Sequence, residues 1–267
     1  MVLAIATAIG FYLHALARLR RRGVAVPRWQ QAAFYTGVTL EAIALLSPVD
    51  GLSDKLMSAH MAQHLLIADL AAPLLLAGLR WPVLAFFLPR PILVPLARMR
   101  SLRRTFAFLC QPLVAVPLYV LTLYSWHLGF MFEGALRSDV VHAFQHQSFV
   151  LVSILVWWSA IEPSHRRLHG DLWKIGHILS ARIAGMFLGM AFIVMRTPAY
   201  EGFYGDKAEA YGLSPLADQQ LAGGMMLSLD SIVVVFVLSF FFWKAGQEED
   251  LTNAAASDVA SDVAQRS

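Results

Sequence analysis

The sequence predicts an all-α, polytopic integral membrane bundle of seven transmembrane helices, with the N-terminus outside and the C-terminus in the cytoplasm. Three observations predict it. Of 267 residues, 58% are hydrophobic and 15% charged, against ~45–50% and ~25% in a typical soluble domain. The apolar residues fall in several runs of about 20 with few or no charges, the length that crosses a bilayer as helix. Lys and Arg gather in alternate gaps between those runs, which is how a polytopic chain sets its orientation.

The runs lie near residues 2–17, 31–48, 56–79, 106–128, 140–161, 175–195 and 222–244. The first opens without a positive stretch, and its arginines follow it from Arg18 onward, the reverse polarity of a secretory signal; it reads as a retained helix. The second carries Glu41. The third, fourth and fifth hold histidines, the sixth holds Arg182, and the seventh Asp230. Between the runs, five arginines lie within residues 18–28, six within 80–104, and Arg166, Arg167 and Lys174 within 166–174. The intervening gaps hold Lys55, Arg137, Arg196 and Lys207. This imbalance puts the first set in the cytoplasm. The net charge of +3 is then a topology signal with some attraction to anionic membrane lipid; no nucleic-acid partner is expected. Residues 1–245 form one transmembrane domain, and the small polar residues of 246–267 suit a disordered cytoplasmic tail. The gap 197–221 carries turn-forming Pro and Gly, with Tyr200, Phe203, Tyr204 and Tyr211 suited to an interfacial aromatic cap.

Ionisable side chains are expensive in hydrocarbon, so each one within a run is a functional candidate. In the third run His60 and His64 are four apart, with Met57 and Met61 on the same helix face; in the fifth, His142 and His146 repeat the spacing; His127 ends the fourth. The predicted topology puts all five imidazoles in the outer half. Imidazole with thioether suits copper, and imidazole alone suits zinc, copper or haem iron. A plainer reading has these rings lining a small wet cavity and bonding carbonyls. Deeper lie Asp69, five residues past His64, then Arg182 and Asp230. Asp69 is the expected charge partner of Arg182, as a buried pair fixing helix register rather than as a proton relay.

Some chemistries are excluded. The single cysteine, Cys110, allows no internal disulfide and no Cys-pair motif. His60-Met-Ala-Gln-His64 has the frame of a helical zinc-protease motif, but Met61 stands where the Glu general base must be. No nucleophile elbow or phosphate loop occurs, so no enzyme is expected.

Several runs in order resemble the CtaG family of caa(3)-type cytochrome c oxidase assembly factors. They are Ser47-Pro-Val-Asp50, Ser58-Ala-His-Met-Ala-Gln-His-Leu-Leu66, Trp126-His127-Leu128, His142-Ala-Phe-Gln-His146, Trp157-Trp158 and Ser214-Pro-Leu-Ala-Asp-Gln-Gln-Leu-Ala-Gly223. The similarity covers about residues 30–245. It implies a seven-span bacterial inner-membrane protein that helps mature a haem–copper oxidase, with an oxidase subunit or another assembly factor as partner. Two positions depart from the family pattern, Gln145 where Glu is usual and Gly129 where Pro is usual. Loss of the charged neighbour favours Cu(I), which tolerates neutral ligands. The expected ligands are His60, His64, His142 and His146, with His127, Met57 and Met61 as auxiliaries. The resemblance adds Asp218, Gln219 and Gln220 at the external mouth of the last run, to orient ligands or touch the client. The alternatives are a redox protein with haem held by facing histidine pairs, and a transporter of copper or protons.

Overall fold

The apolar runs fold as helices that pack along one another, and among the described residues there is no strand. The computed structural model describes residues 2–162 and 172–266; of 172, 245 and 248–266 only the backbone is described. Arg166, Arg167, His165 and His169 therefore lie outside the described residues. We label the principal helices α1 (Val2–Arg20), α2 (Arg28–Leu46), α3 (Met57–Gly78), α4 (Pro112–Trp126), α5 (Asp139–Ile161), α6 (Leu172–Val194) and α7 (from Pro215). The apolar part of α7 ends at Lys244, and its backbone continues helically to Arg266.

Five of these are long and apolar enough to cross a membrane alone: α1, α3, α5, α6 and α7 over Pro215–Lys244. The helix Arg100–Leu109 precedes α4 and bends from it by 73°, so the two would add a sixth crossing as one broken span. α2 has sufficient length at 19 residues, but Gln30, Gln31, Thr36, Thr39 and Glu41 make it too polar to join the five.

One polar side chain of α2, Gln30, is used inside the protein. Gln30 is buried and donates to the carbonyls of Gly78 (3.1 Å) and Arg80 (2.7 Å), which ties α2 to the turn where α3 ends. Tyr12 of α1 stacks on Phe34 of α2 with ring centroids 3.7 Å apart, which forms a small core separate from the main one. The main core runs through α3, α4, α5, α6 and α7. α6 and α7 approach backbone to backbone at Gly189 and Gly223, where a Cβ on either would meet the other's carbonyl oxygen within 2.8 Å. Only glycine allows that closeness, and it brings Arg182 of α6 and Asp230 of α7 to one level of the bundle.

Candidate metal centre

α3 starts at Met57 with no capping side chain on Leu56 before it. Asp218 of α7 caps it from another helix. Its carboxylate accepts from the backbone N–H of Met57 (2.6 Å) and of Ser58 (3.1 Å), and from the Ser58 hydroxyl (2.5 Å). A carboxylate here satisfies two open N–H groups and faces the positive end of the helix. Gln219 accepts from Ala199 N–H (2.6 Å) and donates to Phe192 O (3.2 Å), while Gln220 donates to Ile193 O (3.2 Å). These three residues thus clamp helix ends, and Asp218 sets the position of the histidine turns that follow.

From that cap, His60 and His64 project from consecutive turns of α3 toward His142 and His146 of α5. Ring centroids are 4.4 Å apart for His60–His64, 5.1 Å for His60–His142, 4.9 Å for His64–His146 and 4.2 Å for His142–His146. Ligand atoms of His60, His64 and His142 all lie within 4.8 Å of one another. The Nε2 atoms of His60 and His64 are 2.6 Å apart, so one donates its proton to the other. Two imidazoles on one tetrahedral ion at ~2.0–2.1 Å would hold their nitrogens ~3.3 Å apart. An ion held by both Nε2 atoms would take the place of the His60–His64 hydrogen bond.

Met61 and Met57 are buried on the same helix but face different spaces. Met61 lines a small cavity with His64, His127, Asp69 and Asp230, whereas Met57 lines a pocket beneath Tyr200 and Tyr204. His127 bonds the Leu123 carbonyl through Nδ1 (2.7 Å) and packs against Phe132, Phe149 and Phe192.

The buried ring nitrogens His60 Nδ1, His64 Nδ1, His127 Nε2, His142 Nε2 and His146 Nε2 have no hydrogen-bond partner among the described residues, nor do the amide atoms of Gln145. Buried polar groups are otherwise nearly always paired, so a cluster of open ones at one place is a seat for an ion or for water. Neutral nitrogen donors with a nearby thioether fit a soft or borderline ion such as copper.

An aromatic lid covers the centre. Phe132 packs on His60 (4.9 Å) and stacks on Tyr200 (3.8 Å). Tyr200 donates to the His127 carbonyl (2.7 Å), and Tyr204 to the Ser53 carbonyl (3.0 Å). Burial raises both phenol pKa values well above the ordinary one, so both hydroxyls stay protonated and donate. Tyr200 and Tyr204 therefore turn inward, whereas Tyr211 of the same segment is 43% exposed.

Below the histidines the helix changes pitch. Residues Leu65–Ala71 of α3 are π-helical, with Ala72 N–H bonding Ile67 O. Residues five apart, about 140° apart around an α-helix, here come near one face, and Asp69 faces the same cavity as His64. The Ser153 hydroxyl of α5 donates to the Ala68 carbonyl in this stretch. Arg182 pairs with Asp69 as the sequence leads one to expect, and also with Asp230 at 3.1 Å. Its guanidinium lies 5.0 Å from the Tyr119 ring centroid. Three signals were not legible from spacing: the third member of this ion group, the cap by Asp218, and the lid. The presence of a second carboxylate at mid-span in run seven was the one available hint for Asp230.

The family model of the cytochrome c oxidase caa3 assembly factor, CtaG, matches residues 10–247. The chain belongs to the CtaG family. Its histidine pairs, the Trp126-His127 turn and the Asp218 cap all lie within the matched segment. Two curated relatives, uncharacterised proteins from Mycobacterium bovis and Mycobacterium tuberculosis, are each 30% identical over 251 residues. That alignment covers 89% of this chain and 36% of each relative, so the chain spans about a third of their length. No solved structure matches this CtaG-family chain.

Proposed function

We propose that this protein is a multi-pass assembly factor of the bacterial inner membrane, not an enzyme, that takes up copper at the histidine centre and passes it to a haem–copper oxidase subunit or a second assembly factor. The observation that carries the reading is the convergence of four imidazoles from two helices, with open ring nitrogens, at one end of the bundle of a CtaG-family chain. His60, His64 and His142 are the primary ligands; His146 completes the set, with Met61 and His127 beside it and Met57 toward the lid. Cu(I) is favoured because all these donors are neutral. Haem is less suited, since the four rings pack directly on one another, on Phe132 and on Phe149, and the cavity that His64 lines holds only about 30 Å³, far too little for a macrocycle.

In this reading the chain crosses seven times. The bent pair ending in α4 is the fourth crossing, and α2 is the second, with Gln30 turned onto the end of α3. The fourteen Lys and Arg of the predicted cytoplasmic gaps, against four in the others, set the N-terminus outside and the centre near the outer surface.

The test is metal analysis of detergent-purified protein, wild type beside His60→Ala/His64→Ala, with oxidase assembly followed in cells carrying each. Copper near one per chain in the wild type, lost in the variant together with assembled oxidase, is the expected result. Full oxidase assembly with the variant present in the membrane would sink the copper reading, and a Soret band in the purified wild type would replace it with the haem one.

A further inference from the structure

The ion group beneath the centre has two acidic members and one basic one. Two carboxylates, Asp69 and Asp230, bind one guanidinium, Arg182, and among the described residues Arg182 is the only cation recorded against either. All three side chains are buried. A group needed only to fix helix register would be complete as a single pair, and a second buried carboxylate adds desolvation cost without balancing charge. Both acidic side chains border the cavity that His64 also lines, and His64 Nδ1 is buried and without a partner among the described residues. The π-helical turn is what rotates Asp69 to that side.

We infer that the Asp69–Arg182–Asp230 group is the counter-charge of the histidine centre, supplying through the common cavity the one negative charge that balances a monovalent cation held by neutral imidazoles. The inference rests on the copper reading above and adds three positioning residues to it, none of them a ligand. Neutral donors leave Cu(I) with its full positive charge inside a bundle of low dielectric, a costly state unless an opposite charge lies near. A divalent ion would leave one positive charge unbalanced, so the same arrangement disfavours it. Five residues separate His64 from Asp69, roughly 7 Å of helix rise. At about that range, with an effective dielectric near 20, one unit charge alters cation affinity on the order of tenfold or more.

The experiment is competition for Cu(I) between the full purified chain in detergent and a chromophoric Cu(I) chelator. Asp230→Asn and Asp69→Asn each remove the surplus charge and are expected to weaken Cu(I) binding about tenfold, with Asp230→Glu close to wild type. Arg182→Gln/Asp230→Asn restores a net charge of minus one and is expected to recover most of the loss, which a purely structural role would not do. Folded Asp→Asn variants with affinities within twofold of wild type would overturn the inference. Should those variants not fold, infrared difference spectra of wild-type protein labelled with carboxyl-13C aspartate read the same field. Cu(I) loading is expected to shift labelled carboxylate bands, and an unshifted spectrum overturns the inference. Wild-type protein that takes no Cu(I) would instead remove the copper reading itself, and this inference with it.

Discussion

The histidine centre and the ion group beneath it lie in one bundle and border one cavity, yet they treat their polar atoms in opposite ways. At the centre, five imidazoles leave five ring nitrogens open, and among the described residues two hydrogen bonds, His60–His64 and His127 with the Leu123 carbonyl, hold the rings. In the ion group every carboxylate meets Arg182, although Arg182 keeps two nitrogens without partners. The first region gives up stability for open ligand atoms; the second spends its charges on joining α3, α6 and α7. Sites that bind are where proteins tolerate unmet polar groups, and their removal is often neutral or stabilising.

That contrast can be broken by mutation, ordered here by expected effect on stability. Arg182→Met strands two buried carboxylates and is expected to cost about 3–5 kcal/mol, seen as a collapse in folded yield; Asp69→Asn/Arg182→Met/Asp230→Asn recovers part of it. A folded yield unchanged by Arg182→Met alone would show that the group holds nothing together. Asp218→Ala uncaps α3 and is expected to cost about 1–2 kcal/mol, with weakened copper binding because the histidine turns fray; thermal unfolding in detergent and metal content read the two effects. Tyr200→Phe deletes one hydrogen bond from the lid, roughly 1 kcal/mol, and should speed release of bound copper to a chelator. The smallest change in stability, near zero or slightly favourable, is expected for His146→Leu, which replaces an open polar ring by an apolar group. Copper content should fall all the same. A large destabilisation by His146→Leu would mean the ring is structural, and the contrast between the two regions would fail there.

How much of this was legible before the fold follows from how local each signal is. The pairs His60/His64 and His142/His146 are set by helix periodicity alone, so their projection from single faces could be read directly. Their convergence was expected because polar rings avoid lipid, and the centroid distances bear that out. The pairing of Asp69 with Arg182 was legible for the same reason, as each charge needs a partner. Asp230 was visible as an intramembrane acid, but its place in the group depends on Gly185, Gly189 and Gly223 letting α7 close onto α6. The π-turn at Leu65–Ala71 lay beyond a reading that assumes 3.6 residues per turn. Tyr200 and Tyr204 have the composition of an interfacial belt, yet they are buried over the centre, because Phe132 and two backbone carbonyls give them partners that no local pattern reveals.

By itself the amino-acid sequence determined that this chain is helical and built for a membrane, that four histidines occupy two helix faces, and that a mid-span arginine needs an acid. Those properties are sums over neighbouring residues, and hydropathy and helical period report them faithfully. Only the tertiary structure decided which helix caps α3, which second carboxylate joins Arg182, and that one cavity connects the ring of His64 to that charge. Each of those relations joins residues more than forty positions apart in the chain: Asp218 bonds Met57, Asp230 bonds Arg182, and Asp230 lines one cavity with His64. Such contacts exist because of how helices pack, and packing is decided by the whole set of surfaces at once rather than by any one stretch.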